Sequence, residues 1–481
     1  MAAYAFGTAG GSTTSGTYST TYKSSGGSVV SSEPDLASRL SRIHLSSWLE
    51  DDEEKVKKIE PTKHLVKEFF HGDGDTGALE RWLSEVGVGW VLCLSDDSYV
   101  GASSLLRAQP HHNNLTDRWI RALTLLEGRF VGGEQDVPGP AKQARFVKAA
   151  VLKMLPFVDA LLAATGPLDA GTDTADASNG AQALSAEKLQ ALLDVRDAVS
   201  STSKGIRLYF RDYSVETETR QSSDEVISLL SAKEQRLDEA VWSTMEEVRT
   251  SIPKDDDDDS EWGIQTRQGS PGICKVTRSL VTYIKSLGDD YWRLDHIVRR
   301  AAELGNYYFP ERNKTDPLTT LTMEMVYSLQ LKLAKRSESF ADQSLRLIFL
   351  INNIHFIWQQ LHPLFPKEIH MALLTPKIEG HIRKYLQVSW EPVLSCLHNH
   401  TPNYCFITNS ALPKFDSEFQ KTYTAQKLRK VPDPELRTRL RKAIVEKVVS
   451  GLTKYLEDNN ITSPGITPQE REEMLLELFE G

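Results

Sequence analysis

An all-α protein is what three features of this sequence predict. Apolar residues recur at i, i+3/i+4 spacing over long stretches. Period-2 alternation is almost absent, and no Asn-Gly or Asp-Gly turn sits between β-branched runs. Many of the helical stretches are long, 15 to 25 residues, and they follow no fixed-length repeat.

Residues 1–34 are rich in Ser, Thr and Gly and hold almost no large aliphatic side chain. Such a segment cannot bury enough surface to offset its ordering entropy, so it is expected to be a disordered tail. Helical spacing begins after Pro34 with Leu36, Leu40, Ile43 and Leu49. It continues through LVKEFF (65–70) and ALERWLSEVGVGWVLCL (78–94), with DGDTG (73–77) between them. Two more helices are read over Trp119–Leu126 and Ala141–Ala164. The second is amphipathic through Phe146, Val147, Ala150, Val151, Met154, Leu155, Val158, Leu161 and Leu162, and Pro156 kinks or divides it.

Gly166–Gly180 reads as a loop, and the helical pattern resumes at Ser185 and runs to about Phe210. Ser231-Ala-Lys-Glu234 has the letters of a capping box and is taken to open a helix lined by Leu237, Val241, Met245 and Val248. Pro253 and the run Asp255–Asp259 end that helix. Further helices are expected over Gly272–Leu287, Asp316–Arg336 and about Phe340–Leu361. The last is apolar nearly all round, which marks a central packed element whose Asn352, Asn353 and His355 need partners if buried. The chain therefore divides into a tail (1–34), an N-terminal helical region (35–165), a loop (166–184) and a C-terminal helical-bundle domain (185–481) with an acidic linker at 253–262.

Composition narrows the function classes. The 481 residues are 40% hydrophobic and 25% charged, ordinary for a soluble protein. No apolar run approaches the ~20 residues that span a bilayer. The N-terminus lacks the charged and apolar regions of a signal peptide, so a cytoplasmic chain is expected and the Asn-x-Ser/Thr sequons at Asn114, Asn313, Asn399 and Asn460 are chance. Cys93, Cys274, Cys396 and Cys405 form no CxxC pair and are read as reduced, buried thiols.

No catalytic, metal or cofactor constellation emerges. His398-Asn-His400 is too closely spaced for a helical i, i+4 pair, and His355, His362, His370, His381 and the loop pair His111-His112 fit no finger or HExxH pattern. Asp255–Asp259 lacks the spaced oxygens and mid-loop glycine of an EF-hand and reads as a solvated linker. DGDTG and GTAGG (7–11) lack the GK[ST] ending of a phosphate loop. No enzyme, metal or cofactor is expected.

The charge distribution does carry a signal. Between Lys421 and Lys454 ten Lys/Arg face three acids, a net of +7 in a chain of net −10. Such asymmetry points to a polyanionic partner; nucleic acid is excluded by the negative total and the lack of a binding motif. Asp433 is a good N-cap with Pro434 at N1. Leu436, Leu440, Ile444 and Val448 form one i+4 row toward the core, so Arg439 and Lys442 face outward with Arg437 and Arg441 flanking. Three readings stay open: contact with an anionic membrane, a solvated face with intramolecular pairs to the acidic body, and a protein partner. Further on, Thr467-Pro-Gln-Glu470 is a capping box opening a last helix, Gln469–Phe479, docked by Leu475, Leu478 and Phe479.

SLRLIFLINNIHFIWQQL (344–361), LPKFDSEFQKTYTAQKLRKVPDPELRTRLRKAIVEKVVSGLTKYL (412–456) and the closing LLELFEG resemble the plant branch of the exocyst seventy-kilodalton subunit family. ALERWLSEVGVGWVL, MLPFVDALLA, LLSAKEQRLDEAVWSTMEEVRTSI and GICKVTRSLVTYIKSL fit that family in the same order, over roughly residues 60–481. The resemblance implies an elongated rod of stacked antiparallel helical bundles. It also implies a place in the complex that tethers secretory vesicles to the plasma membrane, peripheral at the membrane or on vesicles.

Implied partners are other exocyst subunits, phosphatidylinositol bisphosphate on a basic C-terminal surface, and small GTPases or immune proteins. The lipid-binding candidates are Lys427, Arg429, Lys430, Arg437, Arg439, Arg441, Lys442, Lys447 and Lys454. Three departures stand out. The N-terminal coiled-coil region of typical members is expected to be missing. Leu428 replaces the usual aromatic. The closing stretch ITSPGITPQEREEMLLELFEG has only Arg471 as a base where animal and fungal relatives carry lipid-binding lysines just before the last helix. The first departure suggests an alternative role outside the exocyst, as an adaptor or decoy in plant immunity or selective autophagy.

Overall fold

A computed structural model describes residues 64–71, 75–94, 112–126, 139–164, 177–211, 217–254, 272–308, 315–362, 374–398, 411–462, 465 and 467–480. The readings for the 1–34 tail, GTAGG, Asp255–Asp259, His111, His370, His400 and Cys405 lie outside these residues. The described helices all belong to one compact unit, Ile59–Gly481. They are α1 (64–71), α2 (Thr76–Glu85), α3 (His112–Thr124), α4 (Pro140–Met154), α5 (Pro156–Ala164), α6 (Ala177–Arg211), α7 (Thr217–Ser251), α8 (Lys275–Asp289), α9 (Tyr291–Glu303), α10 (Pro317–Ser337), α11 (Gln343–Leu361), α12 (Thr375–His398), α13 (Ala411–Lys427), α14 (Pro434–Asp458) and α15 (Pro468–Leu476). The class is all-α: among the described residues the β structure is one isolated bridge, Lys430 to Glu480.

Local chemistry explains most helix ends. The 78–94 segment is not one helix. Gly87 takes φ +81, which only glycine adopts without strain. It closes a Schellman motif in which Val88 N–H donates to Leu83 O at 2.8 Å and Gly87 N–H to Ser84 O at 3.0 Å. A short 3-10 turn, Gly89–Leu94, follows. Asn460, at φ 52, ends α14 in the same way, with Ile461 N–H donating to Leu456 O at 3.0 Å. Pro156 divides the 141–164 segment at Leu155, as one of the two expected outcomes.

Other boundaries correct the sequence reading. Ser231 does not open a helix: α7 runs through it, because Val226 and Leu230 continue the buried row of Leu237, Val241, Met245 and Val248 without a break. Ser231 itself is exposed. α6 begins at Ala177, inside the segment read as loop, rather than at Ser185. His112 starts α3 instead of lying in a loop. α11 starts at Gln343 rather than Phe340, since Asp342 caps it by accepting from the backbone N–H of Ser344 and Leu345. α15 ends at Leu476, short of Phe479. Cys274 is buried, and desolvation pushes its thiol pKa up, but Cys93 is exposed and not a core residue.

Helices neighbouring in sequence pack on one another: α6 on α7, α9 on α10, α10 on α11, α11 on α12 and α12 on α13. α11 sits among α8, α10 and α12, and nearly every side chain from Ser344 to Ile357 is buried. Both asparagines find hydrogen-bond partners, although Asn352 Oδ1 is buried with none among the described residues. Asn352 Nδ2 donates to Lys430 O at 3.0 Å, tying the helix to the chain entering α14. Asn353 is fully buried; its Oδ1 accepts from Cys274 N–H and Thr277 Oγ1, both at 2.9 Å, and its Nδ2 donates to Phe349 O. His355 lies 3.9 Å from Asp433; desolvation lowers its pKa although the Asp433 charge opposes this.

A basic surface on the C-terminal helices

α14 is built as its sequence dictates. Asp433 accepts from Leu436 N–H at 2.7 Å, Pro434 occupies N1, and Leu436, Leu440, Ile444 and Val448 are buried in one row. Burying that row turns the remaining positions toward solvent. α15 likewise starts at the Thr467 capping box with Pro468 at N1. Beyond its end Leu478 and Phe479 are fully buried, which lays the last residues along the start of α14. Val431 N–H donates to Phe479 O at 3.4 Å, and Arg441 Nε donates to Leu478 O at 2.8 Å.

This packing decides where the candidate bases go. Lys427 Nζ lies 2.7 Å from Glu477, which also accepts from Tyr423 O–H at 2.9 Å. Arg437 and Arg441 both reach Glu480, at 2.8 and 2.5 Å. Arg429 pairs with Asp342 and is mostly covered, Arg439 pairs with Glu379, and Lys447 lies 2.5 Å from Glu391. Lys430, Lys442 and Lys454 have no ion-pair partner among the described residues, and all three are exposed. Among the described residues six of the nine candidates are thus ion-paired and three have no ion-pair partner.

The acids respond accordingly. A hydrogen bond from Lys427 holds the Glu477 carboxyl below the usual carboxylate range, and one from Arg441 does the same for Glu480. Burial works against the Asp342 carboxylate, but the Ser344 hydrogen bond and the Arg429 charge outweigh it and lower its pKa. Arg471, the one base of the terminal stretch, is not a surface group. It is buried against Asp416 at 2.7 Å and stacks 4.9 Å from the Phe419 ring centroid. Leu428 is 71% exposed.

Sequence spacing missed the acids that complete the surface: Asp342, Glu379, Glu391, Glu477 and Glu480. Each meets its base across a long sequence separation, as with Arg429 and Asp342, so no local pattern announces them. Among the described residues no group of three or more His, Cys, Asp and Glu is placed to hold a metal, and no helix is long and apolar enough to cross a membrane.

Fold and surface together define an all-helical bundle protein whose distinctive feature is a charged face on its C-terminal helices. Residues 163–473 match the family defined by the C-terminal region of Exo70, the exocyst complex subunit. The chain belongs to that family. Exocyst complex component EXO70A3 of Arabidopsis thaliana is 26% identical over 202 residues, 36% of this chain and 34% of that protein. EXO70A1 of the same plant is 25% identical over 238 residues, 43% of this chain and 36% of that protein. The matches thus span about a third of the length of these curated relatives. The crystal structure of the S. cerevisiae exocyst component Exo70p aligns over 93% of this chain and 91% of that one, at 12% identity and a TM-score of 0.38.

Proposed function

We propose that this protein acts by association rather than catalysis, as an exocyst-subunit-like tether. In this reading its helical surfaces bind other exocyst subunits and its C-terminal basic face holds anionic phospholipid, phosphatidylinositol bisphosphate included, bringing vesicle and plasma membrane together. The family match supports the complex membership. The single observation that supports the lipid contact is the set of unpaired lysines, Lys430, Lys442 and Lys454, beside bases whose ion pairs are themselves on the surface. An exposed ion pair contributes only about 0–1 kcal/mol, so a base can exchange an internal carboxylate for a lipid phosphate at little cost. Each base near an anionic membrane contributes about 1 kcal/mol, and the attraction weakens as salt shortens the screening length.

Vesicle co-sedimentation tests the lipid contact. The triple variant K430E/K442E/K454E is expected to bind vesicles containing phosphatidylinositol bisphosphate on the order of a hundredfold more weakly, from about 1 kcal/mol per base. High salt is expected to weaken the wild type toward the same level. Wild-type binding that is absent, or equal to that of the triple variant, contradicts the reading.

A further inference from the structure

We propose that Glu477 and Glu480 form an acidic cover that sets how many bases of the C-terminal face an anionic bilayer meets. This rests on the lipid contact proposed above and names its regulation. The cover is a geometric fixture. Leu475, Leu478 and Phe479 are fully buried, so the backbone carrying both carboxylates is anchored by apolar packing and not by the ion pairs. The Lys430–Glu480 bridge and the Val431–Phe479 hydrogen bond hold the same segment from the α14 side.

On that fixed backbone two carboxylates answer three cations. Glu477 takes Lys427 at 2.7 Å, with Tyr423 O–H steadying it at 2.9 Å. Glu480 takes Arg437 at 2.8 Å and Arg441 at 2.5 Å. Both carboxylates remain open to solvent, at 60% and 62% side-chain exposure. Lys427 is half exposed, so a phosphate can approach it in competition with Glu477; Arg437 and Arg441 are mostly covered and offer only an outer edge beside Glu480. The wild-type surface presents Lys430, Lys442 and Lys454 without competition, and Lys427, Arg437 and Arg441 only against it. Removing the two negative charges leaves the fold anchored, uncovers Lys427, and lifts the competition at the outer edges of Arg437 and Arg441, whose inner nitrogens stay on Val431 O and Leu478 O.

The test compares the full chain with E477Q/E480Q and with E472Q/E473Q on vesicles of phosphatidylcholine containing phosphatidylserine, against phosphatidylcholine alone. Glu472 and Glu473 are exposed on α15 without an ion-pair partner among the described residues, so the second variant changes net charge equally without uncovering a base. E477Q/E480Q is expected to bind the anionic vesicles at least tenfold more tightly than wild type, with a steeper loss on adding salt, and E472Q/E473Q by much less. Equal gains in the two variants, or no gain in E477Q/E480Q over a wild type that does bind, overturn the cover and leave the lipid contact standing. If neither wild type nor E477Q/E480Q binds anionic vesicles, the lipid contact itself fails and the cover with it. Circular dichroism melts of each variant confirm that the anchored segment stays folded.

Discussion

Phe479→Ala lowers the stability of the helical unit by about 3–5 kcal/mol, the range for truncating a fully buried phenylalanine. The side chain has no exposed surface and packs near the Tyr385 ring, with centroids 6.2 Å apart. Its backbone sits at φ 68, a left-handed conformation that costs a non-glycine residue roughly 1–2 kcal/mol. Burial of the ring outweighs that cost, which explains why a bulky aromatic occupies such a position. Phe479→Gly loses the same ring but relieves the backbone, so it is expected to fall within about 1 kcal/mol of the alanine variant. Urea denaturation measures both, as a lower midpoint with an unchanged slope. A loss under about 1 kcal/mol in both variants contradicts the anchoring of the C-terminal segment, and with it the fixed positions of Glu477 and Glu480.

Asn353→Ala costs about 2–4 kcal/mol by a different route. Cys274 is the N-cap residue of α8, and its side chain makes no capping bond. Asn353, from the middle of α11, satisfies another unpaired donor at that helix start, accepting from Cys274 N–H and from Thr277 Oγ1, both at 2.9 Å. Alanine removes that acceptor and leaves a buried backbone donor and a buried hydroxyl unpaired, at about 1–3 kcal/mol for each such group. Thr277→Val removes a donor together with its bond and is expected to cost less. Because the two residues share one bond, their effects are not additive, and a double-mutant cycle reads the coupling as about 0.5–3 kcal/mol. Additivity within about 0.3 kcal/mol contradicts the shared bond.

These two positions show where the sequence was legible. The start of α14 at Asp433-Pro434, its buried row from Leu436 to Val448, and the Thr467 capping box of α15 are all visible because the determinants lie within four residues of one another. The packed character of α11 follows from its apolar periphery in the same way. Ser231 misleads because capping-box letters also occur inside a helix, where a continuous buried row overrides them.

The acceptor at the start of α8 is invisible locally, since Asn353 lies far along the chain from Cys274. The candidate surface divides along the same line. Spacing found the bases of α13 and α14 and the outward direction of Arg439 and Lys442. It gave no means of finding Asp342, Glu379, Glu391, Glu477 and Glu480, because ion pairs are set by tertiary approach. The basic stretch read in isolation is a field of +7. Among the described residues it is seven bases paired with acids and three lysines without an ion-pair partner.

A chain that serves as an exocyst-subunit-like tether should be recovered with its partner subunits from its native cells. Affinity purification of the full chain under mild conditions, followed by mass spectrometry, is expected to return other exocyst subunits in repeated experiments and above the level of an unrelated helical bait. Their consistent absence, with the bait itself well recovered, would rule out a role as an exocyst subunit.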